Sequence, residues 1–220
     1  MLHHLASDNE LFIFTTNYDR VIEEYCRHQS IPYIDGFARD PTAEEFEWNP
    51  VEFEKKQQGI DSIKLFKLHG SLNWRRRIDG VPVKIGTEEK TRRDSKRFHE
   101  NILIYPGEKS EPHTEPFITL HKLFQKYFLD SDVCVFIGFA FRDEYLNSII
   151  AQGLRKKKVV IVDLIAIKIR GNLIEEWSPR LKLHRIVCVD GPFGELSTTN
   201  KIEEAILKKG TFIRSRKNQS

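Results

Sequence analysis

The chain has 220 residues, with 35 Lys and Arg against 32 Asp and Glu and a net charge of +3. That length suits one large domain, or one domain with a sizeable insertion, whose core needs no covalent staples. So balanced a charge gives no reason to invoke nucleic acid, and three scattered cysteines (Cys26, Cys134 and Cys188) with no CxxC pair argue against a disulfide framework or a four-cysteine zinc site.

Residues 1–9 hold no apolar stretch long enough for a signal peptide. The longest apolar run, Val133 to Ile137, is far short of a membrane span. The expectation is a soluble, cytoplasmic protein.

The first predicted strand is Leu11–Phe14, followed by a polar turn and a helix from about Tyr18 to His28. Val21, Ile22, Tyr25 and Cys26 give that helix one apolar face. Asp19 falls in its first turn, where a carboxylate suits the helix dipole. Residues Asp35 to Gln58 mix acids with Phe37, Phe46, Trp48 and Phe53 and read as loop and short irregular structure, with the aromatics plugging onto the sheet. Ile63–Leu68 is the second strand. Arg75 to Glu100 is the most polar stretch, in which Lys84, Lys90, Arg92, Arg93, Lys96 and Arg97 alternate with acids. It reads as a solvated loop or small insertion, bounded at about 75–116, rather than a nucleic-acid arm.

Ile102–Tyr105 is a short strand closed by Pro106-Gly107. Phe117 to Phe128 reads as an amphipathic helix. Val133–Ile137 has the unbroken apolar character of a central parallel strand, and it breaks at Gly138. A helix carrying Leu146, Ile149 and Ile150 follows, with a basic end at Arg155–Lys158. Val159–Val162 and Arg185–Val189 are further strands, ending at Asp163 and Asp190. A helix near Thr199–Lys208 and a basic tail complete the chain. Alternating strands and helices predict a Rossmann-like parallel α/β sheet with helices on both faces. Ile13, Phe66, Val135, Ile161 and Val187 should lie in adjacent strands of that one sheet.

Open α/β sheets bind ligands at the carboxyl ends of their strands, and there the polar residues collect. Asn17 ends the first strand; its amide could hold a water or a sugar hydroxyl, or serve as an Asx-turn or helix cap. His69 ends the second, with a ring suited to general-base work or to a bond with a nearby carbonyl. Gly70 after it permits a sharp turn and close approach of a ligand. Gly138, Asp163 and Asp190 end the other strands, and acids so placed often accept ribose hydroxyls. The G-x-G-x-x-G, P-loop, H-E-x-x-H and G-x-S-x-G patterns are all absent.

Taken in order, Thr15-Thr16-Asn17-Tyr18-Asp19, Lys67-Leu68-His69-Gly70-Ser71, Ile104-Tyr105-Pro106-Gly107-Glu108-Lys109 and Ile137-Gly138-Phe139-Ala140-Phe141-Arg142-Asp143 resemble the motifs of bacterial sirtuin-like domains. The resemblance covers roughly the whole chain as a single domain. It implies an NAD-binding sheet in which Asn17 sits beside the nicotinamide ribose and His69 acts as base on a ribose hydroxyl. Thr15, Thr16, Tyr18 and Asp19 would line the nicotinamide end, Gly138 and Phe139 the ribose, and Asp163 the adenosine ribose, with Asp190 nearby. The paired cysteines of the zinc-bearing protein deacylases are missing. Zinc-free bacterial relatives are associated with cleaving NAD itself, often in defence against phage. The expected activity is therefore NAD hydrolysis, with NAD as substrate and no metal. The family's glycine-rich first strand is also absent, since only ten residues precede Leu11. The chain reads as the C-terminal portion of such a domain or a degenerate copy. That keeps open an inactive module binding NAD or ADP-ribose, a partner domain or second copy, or a module that contacts protein or nucleic acid through the 75–100 segment.

Overall fold

A computed structural model describes residues 11–39, 45–55, 63–86, 98–105, 113–153, 158–163, 169, 186–191 and 196–207. The chain divides into two compact units, Leu2–Phe124 and Gln125–Ser220.

In the first unit, β1 (Leu11–Thr15), β5 (Ile63–Lys67) and β2 (Tyr33–Ile34) form a parallel sheet with β5 in the centre. Side chains alternate across it with the strand period of two. Leu11, Ile13, Ile63 and Leu65 meet Ile22 and Cys26 of helix α1 (Val21–His28) on one face. On the other face Phe66 stacks on Phe14 at 4.6 Å and on Phe53 at 4.4 Å, and Phe14 meets Phe124 edge-on at 5.0 Å. Strand β5 is buried along its whole length, as a central parallel strand should be.

The same unit holds a five-stranded antiparallel sheet in the order β3 (Phe37–Arg39), β4 (Glu45–Trp48), β7 (Pro82–Ile85), β6 (Gly70–Arg77) and β8 (Phe98–Leu103). This corrects the loop readings of two segments. The segment read as loop between Asp35 and Gln58 supplies β3, β4 and a 3-10 turn at Pro50–Glu54, and the polar stretch from Arg75 to Glu100 supplies the end of β6, all of β7 and the start of β8. Aromatic packing accounts for the difference. Phe37 lies 4.8 Å from the ring of Trp74 and 5.2 Å from that of Trp48, and Trp74 is fully buried. The charges that suggested a solvated loop are spent within the sheet. Arg77 reaches Glu47 at 2.6 Å and Asp79 at 2.7 Å. Its guanidinium is driven further toward the charged form by those bonds, and Arg77 in turn holds the Asp79 carboxyl below its usual range. Lys84 binds Asp35 at 2.6 Å and lies over the rings of Tyr33, Phe37 and Phe46. Lys90, Arg92, Arg93, Lys96 and Arg97 lie outside the described residues.

In the second unit, β9 (Val133–Ile137), β10 (Lys158–Asp163) and β11 (Ile186–Asp190) form a parallel sheet with β10 in the centre. Helix α4 (Leu196–Leu207) packs Ile202 and Ala205 against Val160 and Val189. Helix α2 (Phe117–Asp130) runs from the first unit into the second, and α3 (Glu144–Gly153) follows β9. Gly153 accommodates the Phe128 ring, which would lie 2.4 Å from a Cβ there. The basic end expected at 155–158 falls partly outside the described residues, and Lys158 itself begins β10.

The fold is thus α/β with parallel sheets, as expected. Within the first unit Ile13 and Phe66 share a parallel sheet, and within the second Val135, Ile161 and Val187 share a parallel sheet. Each set is parallel.

Candidate functional site

Register places the two leading candidates. Thr15 and Lys67 are paired at the ends of β1 and β5, so Asn17 and His69 each lie two residues beyond a matched pair, at the same carboxyl edge. Their loops are tied together through the backbone. The Leu68 amide donates to the Thr15 carbonyl at 2.9 Å, and the Leu72 amide donates to that of Tyr18 at 3.1 Å. The Ser71 hydroxyl also donates to Tyr18 O, at 3.3 Å. Lys67 Nζ donates to the Asp19 carbonyl and to Glu23 Oε1.

These bonds explain why α1 starts at Val21 rather than Tyr18. The Tyr18 and Asp19 carbonyls, which would accept the first helical bonds, face the 67–72 turn instead. Asp19 serves from outside the helix, accepting the Val21 amide on Oδ1 at 3.1 Å. The Asx-turn open to Asn17 is therefore made by Asp19. Asn17 is exposed, its own amide donates to Thr15 Oγ1 at 3.1 Å, and its side chain makes no hydrogen bond among the described residues. Thr16 is half-buried beside it.

His69 is half-buried in the turn between β5 and β6. Its carbonyl accepts the Ile104 amide at 3.0 Å, and the Tyr18 hydroxyl donates to the Ile104 carbonyl. Ile104 thereby braces both loops. The buried His121 ring bonds the Leu68 carbonyl at 3.0 Å from behind. Removing the Tyr18 hydroxyl should cost about 1 kcal/mol, the ordinary net worth of such a bond. Thermal unfolding of Tyr18→Phe measures it, and an unchanged melting temperature would show the bond contributes nothing.

In the second unit, Ile137 pairs with Val162, and Asp163 pairs with Asp190. Gly138, Asp163 and Asp190 therefore stand level along one carboxyl edge. Gly138 has φ +59°, is exposed, and has nothing within 4 Å of where a Cβ would sit. Phe139 lies 4.8 Å from Phe141 and 5.9 Å from Phe136, forming an aromatic step beside that open space. Asp143 caps α3 through the Leu146 amide at 2.8 Å, and Asn147 Nδ2 holds the Phe141 carbonyl. Just beyond that pair the Gly191 amide donates to Asp163 O at 3.3 Å.

The structure thus gathers Thr15, Thr16, Asn17, Tyr18, Asp19 and His69 at one edge in the first unit. It gathers Gly138, Phe139, Asp163 and Asp190 at one edge in the second. Sequence reasoning missed Lys67, Tyr18 as a brace to Ile104, and His121. Two lysines in a strand otherwise made of Ile, Leu and Phe were the available signal for Lys67, since a central strand has no solvent side for them. No cluster of metal-ligating side chains occurs among the described residues, and no helix there is long and apolar enough to cross a membrane.

A family model described as a SIR2-like domain matches residues 11–167, from β1 through β10. Asn17, His69, Gly138 and Asp163 fall inside the match, and Asp190 falls beyond it. No curated protein matches the chain.

Proposed function

This chain belongs to the SIR2-like domain family, whose members bind NAD, and on that premise we propose that it hydrolyses NAD, releasing nicotinamide. One observation carries the reading. Parallel register puts Asn17 and His69 at one carboxyl edge, and the loops that bear them are hydrogen-bonded to each other. An exposed amide and a half-buried imidazole so placed suit a water and a ribose hydroxyl.

In this reading the bond between nicotinamide and ribose breaks and its electron pair leaves with nicotinamide. Positive charge develops on the ribose, where nearby carboxylates and carbonyls favour it. Asn17 positions the water whose oxygen bonds to the anomeric carbon, and the proton that this water sheds passes by way of the ribose hydroxyl to His69. Thr15, Thr16, Tyr18 and Asp19 shape the nicotinamide end. Gly138 leaves room for a sugar and Phe139 offers a ring face beside it, while Asp163 and Asp190 accept ribose hydroxyls. Depleting a cell's NAD in this way would suit defence against phage.

The test is nicotinamide release from NAD, followed by chromatography, with calorimetry of NAD and ADP-ribose binding alongside. The native protein should turn NAD over, and Asn17→Ala should slow release by about tenfold to a hundredfold through lost positioning of the water. Binding without turnover would replace the hydrolase reading with that of a nucleotide-binding module. Neither binding nor turnover would remove both.

A further inference from the structure

We infer that Lys67 is the positioning residue of the Asn17 loop, its buried ammonium fixing the main chain from which the Asn17 side chain projects. The catalytic consequence rests on the NAD-cleaving reading; the structural one does not.

Lys67 is 1% exposed, at the end of the central strand of its sheet. Its side chain points to the α1 face, the face of Ile63 and Leu65, and reaches Glu23 Oε1 at 3.1 Å. An ammonium has three N–H donors and no acceptor. The acceptors around this one are Glu23 Oε1, the Asp19 carbonyl and the Tyr18 carbonyl, the last at 3.5 Å. Two of the three are consecutive main-chain carbonyls of the Asn17 loop.

A buried ion pair is a poor device for stability alone, because apolar residues of similar volume usually serve as well or better. What the ammonium supplies, and a methionine would not, is a pair of donors to the loop backbone. The Asn17 side chain makes no bond of its own among the described residues, so its direction follows from its backbone. Lys67 sets that backbone from behind, while Leu72 and Ser71 hold the Tyr18 carbonyl from the side. Glu23 holds the third side of the ammonium, at 3.1 Å.

The experiment compares native protein, Lys67→Met and the double variant Glu23→Leu/Lys67→Met. Lys67→Met strands a buried carboxylate and should melt lower; the double variant removes both charges and should recover most of that loss. In both, amide exchange at Asn17, Val21 and Leu72 should accelerate by about tenfold or more, with Leu120 in α2 unchanged as the internal control. The kcat for nicotinamide release should fall by about tenfold or more, while KM for NAD moves less than about threefold. Should Lys67→Met fail to fold, the double variant carries the test. A double variant that keeps native loop protection, or native kcat, overturns the proposal. If native protein releases no nicotinamide, the hydrolase reading fails, and the exchange data alone decide whether Lys67 holds the loop.

Discussion

The His69→Ala protein is expected to release nicotinamide from NAD about 100- to 10,000-fold more slowly than native protein, the range over which a positioned general base acts. Its melting temperature should fall by no more than about 4 °C. The turn that carries His69 is held by main-chain bonds, Leu68 to Thr15 and Ile104 to the His69 carbonyl, and neither needs the imidazole. The ring is only half-buried, so truncation opens no large cavity. His121 offers a contrast in the same unit: it is buried, and its ring bonds the Leu68 carbonyl at 3.0 Å. Loss of activity with no larger loss of stability assigns His69 to chemistry. Full activity in His69→Ala would remove the proposed base and the mechanism with it.

Gly70→Ala should be the most damaging single methyl group in the first unit, lowering stability by about 3 kcal/mol or more and the melting temperature by about 6–12 °C. Two independent terms combine. Gly70 has φ +89°, a conformation an alanine adopts only under strain. A Cβ there would also lie 2.1 Å from the Ile102 carbonyl oxygen, a backbone atom that no rotamer change can move aside. Relief requires shifting β8 away from β6, where Gly70 pairs with Leu103, and that shift disturbs the bond from the Ile104 amide to His69. Thermal unfolding decides it: a melting temperature within about 2 °C of native would show that the turn relaxes at little cost.

Much of the parallel framework was legible because its strands are short apolar runs with abrupt polar ends. Val133–Ile137 was bounded correctly because Gly138 breaks it, and Asp163 and Asp190 mark the ends of β10 and β11. The antiparallel sheet was not legible. Its strands carry Arg75, Arg76, Arg77, Lys84, Glu45 and Glu47, so composition pointed to solvent. Several of those charges find partners far away in the chain, as Lys84 does in Asp35 and Arg77 in Glu47, and a local window cannot see that. The start of α1 was misjudged for a similar reason. Local propensity favours a helix from Tyr18, but carbonyls are claimed by residues some fifty positions on. At the candidate site, the polar strand ends were readable. The buried lysine behind them was not, because its role depends on which strands are neighbours.

The bonds that shape the Asn17 loop have a further consequence during synthesis. Thr15 and Tyr18 leave the ribosome first, but the donors that fix their carbonyls belong to Leu68 and Leu72, and the carbonyl that anchors the Tyr18 hydroxyl belongs to Ile104, 86 residues later. The aromatic column from Phe14 through Phe66 likewise waits for Phe124. Contacts this distant form late, because closure of the intervening chain must come first. On the nascent polypeptide, the first half of the site therefore emerges as an unanchored segment and takes its final shape only after more than a hundred residues have been made, so a truncated translation product carries Asn17 without the geometry that gives it a role.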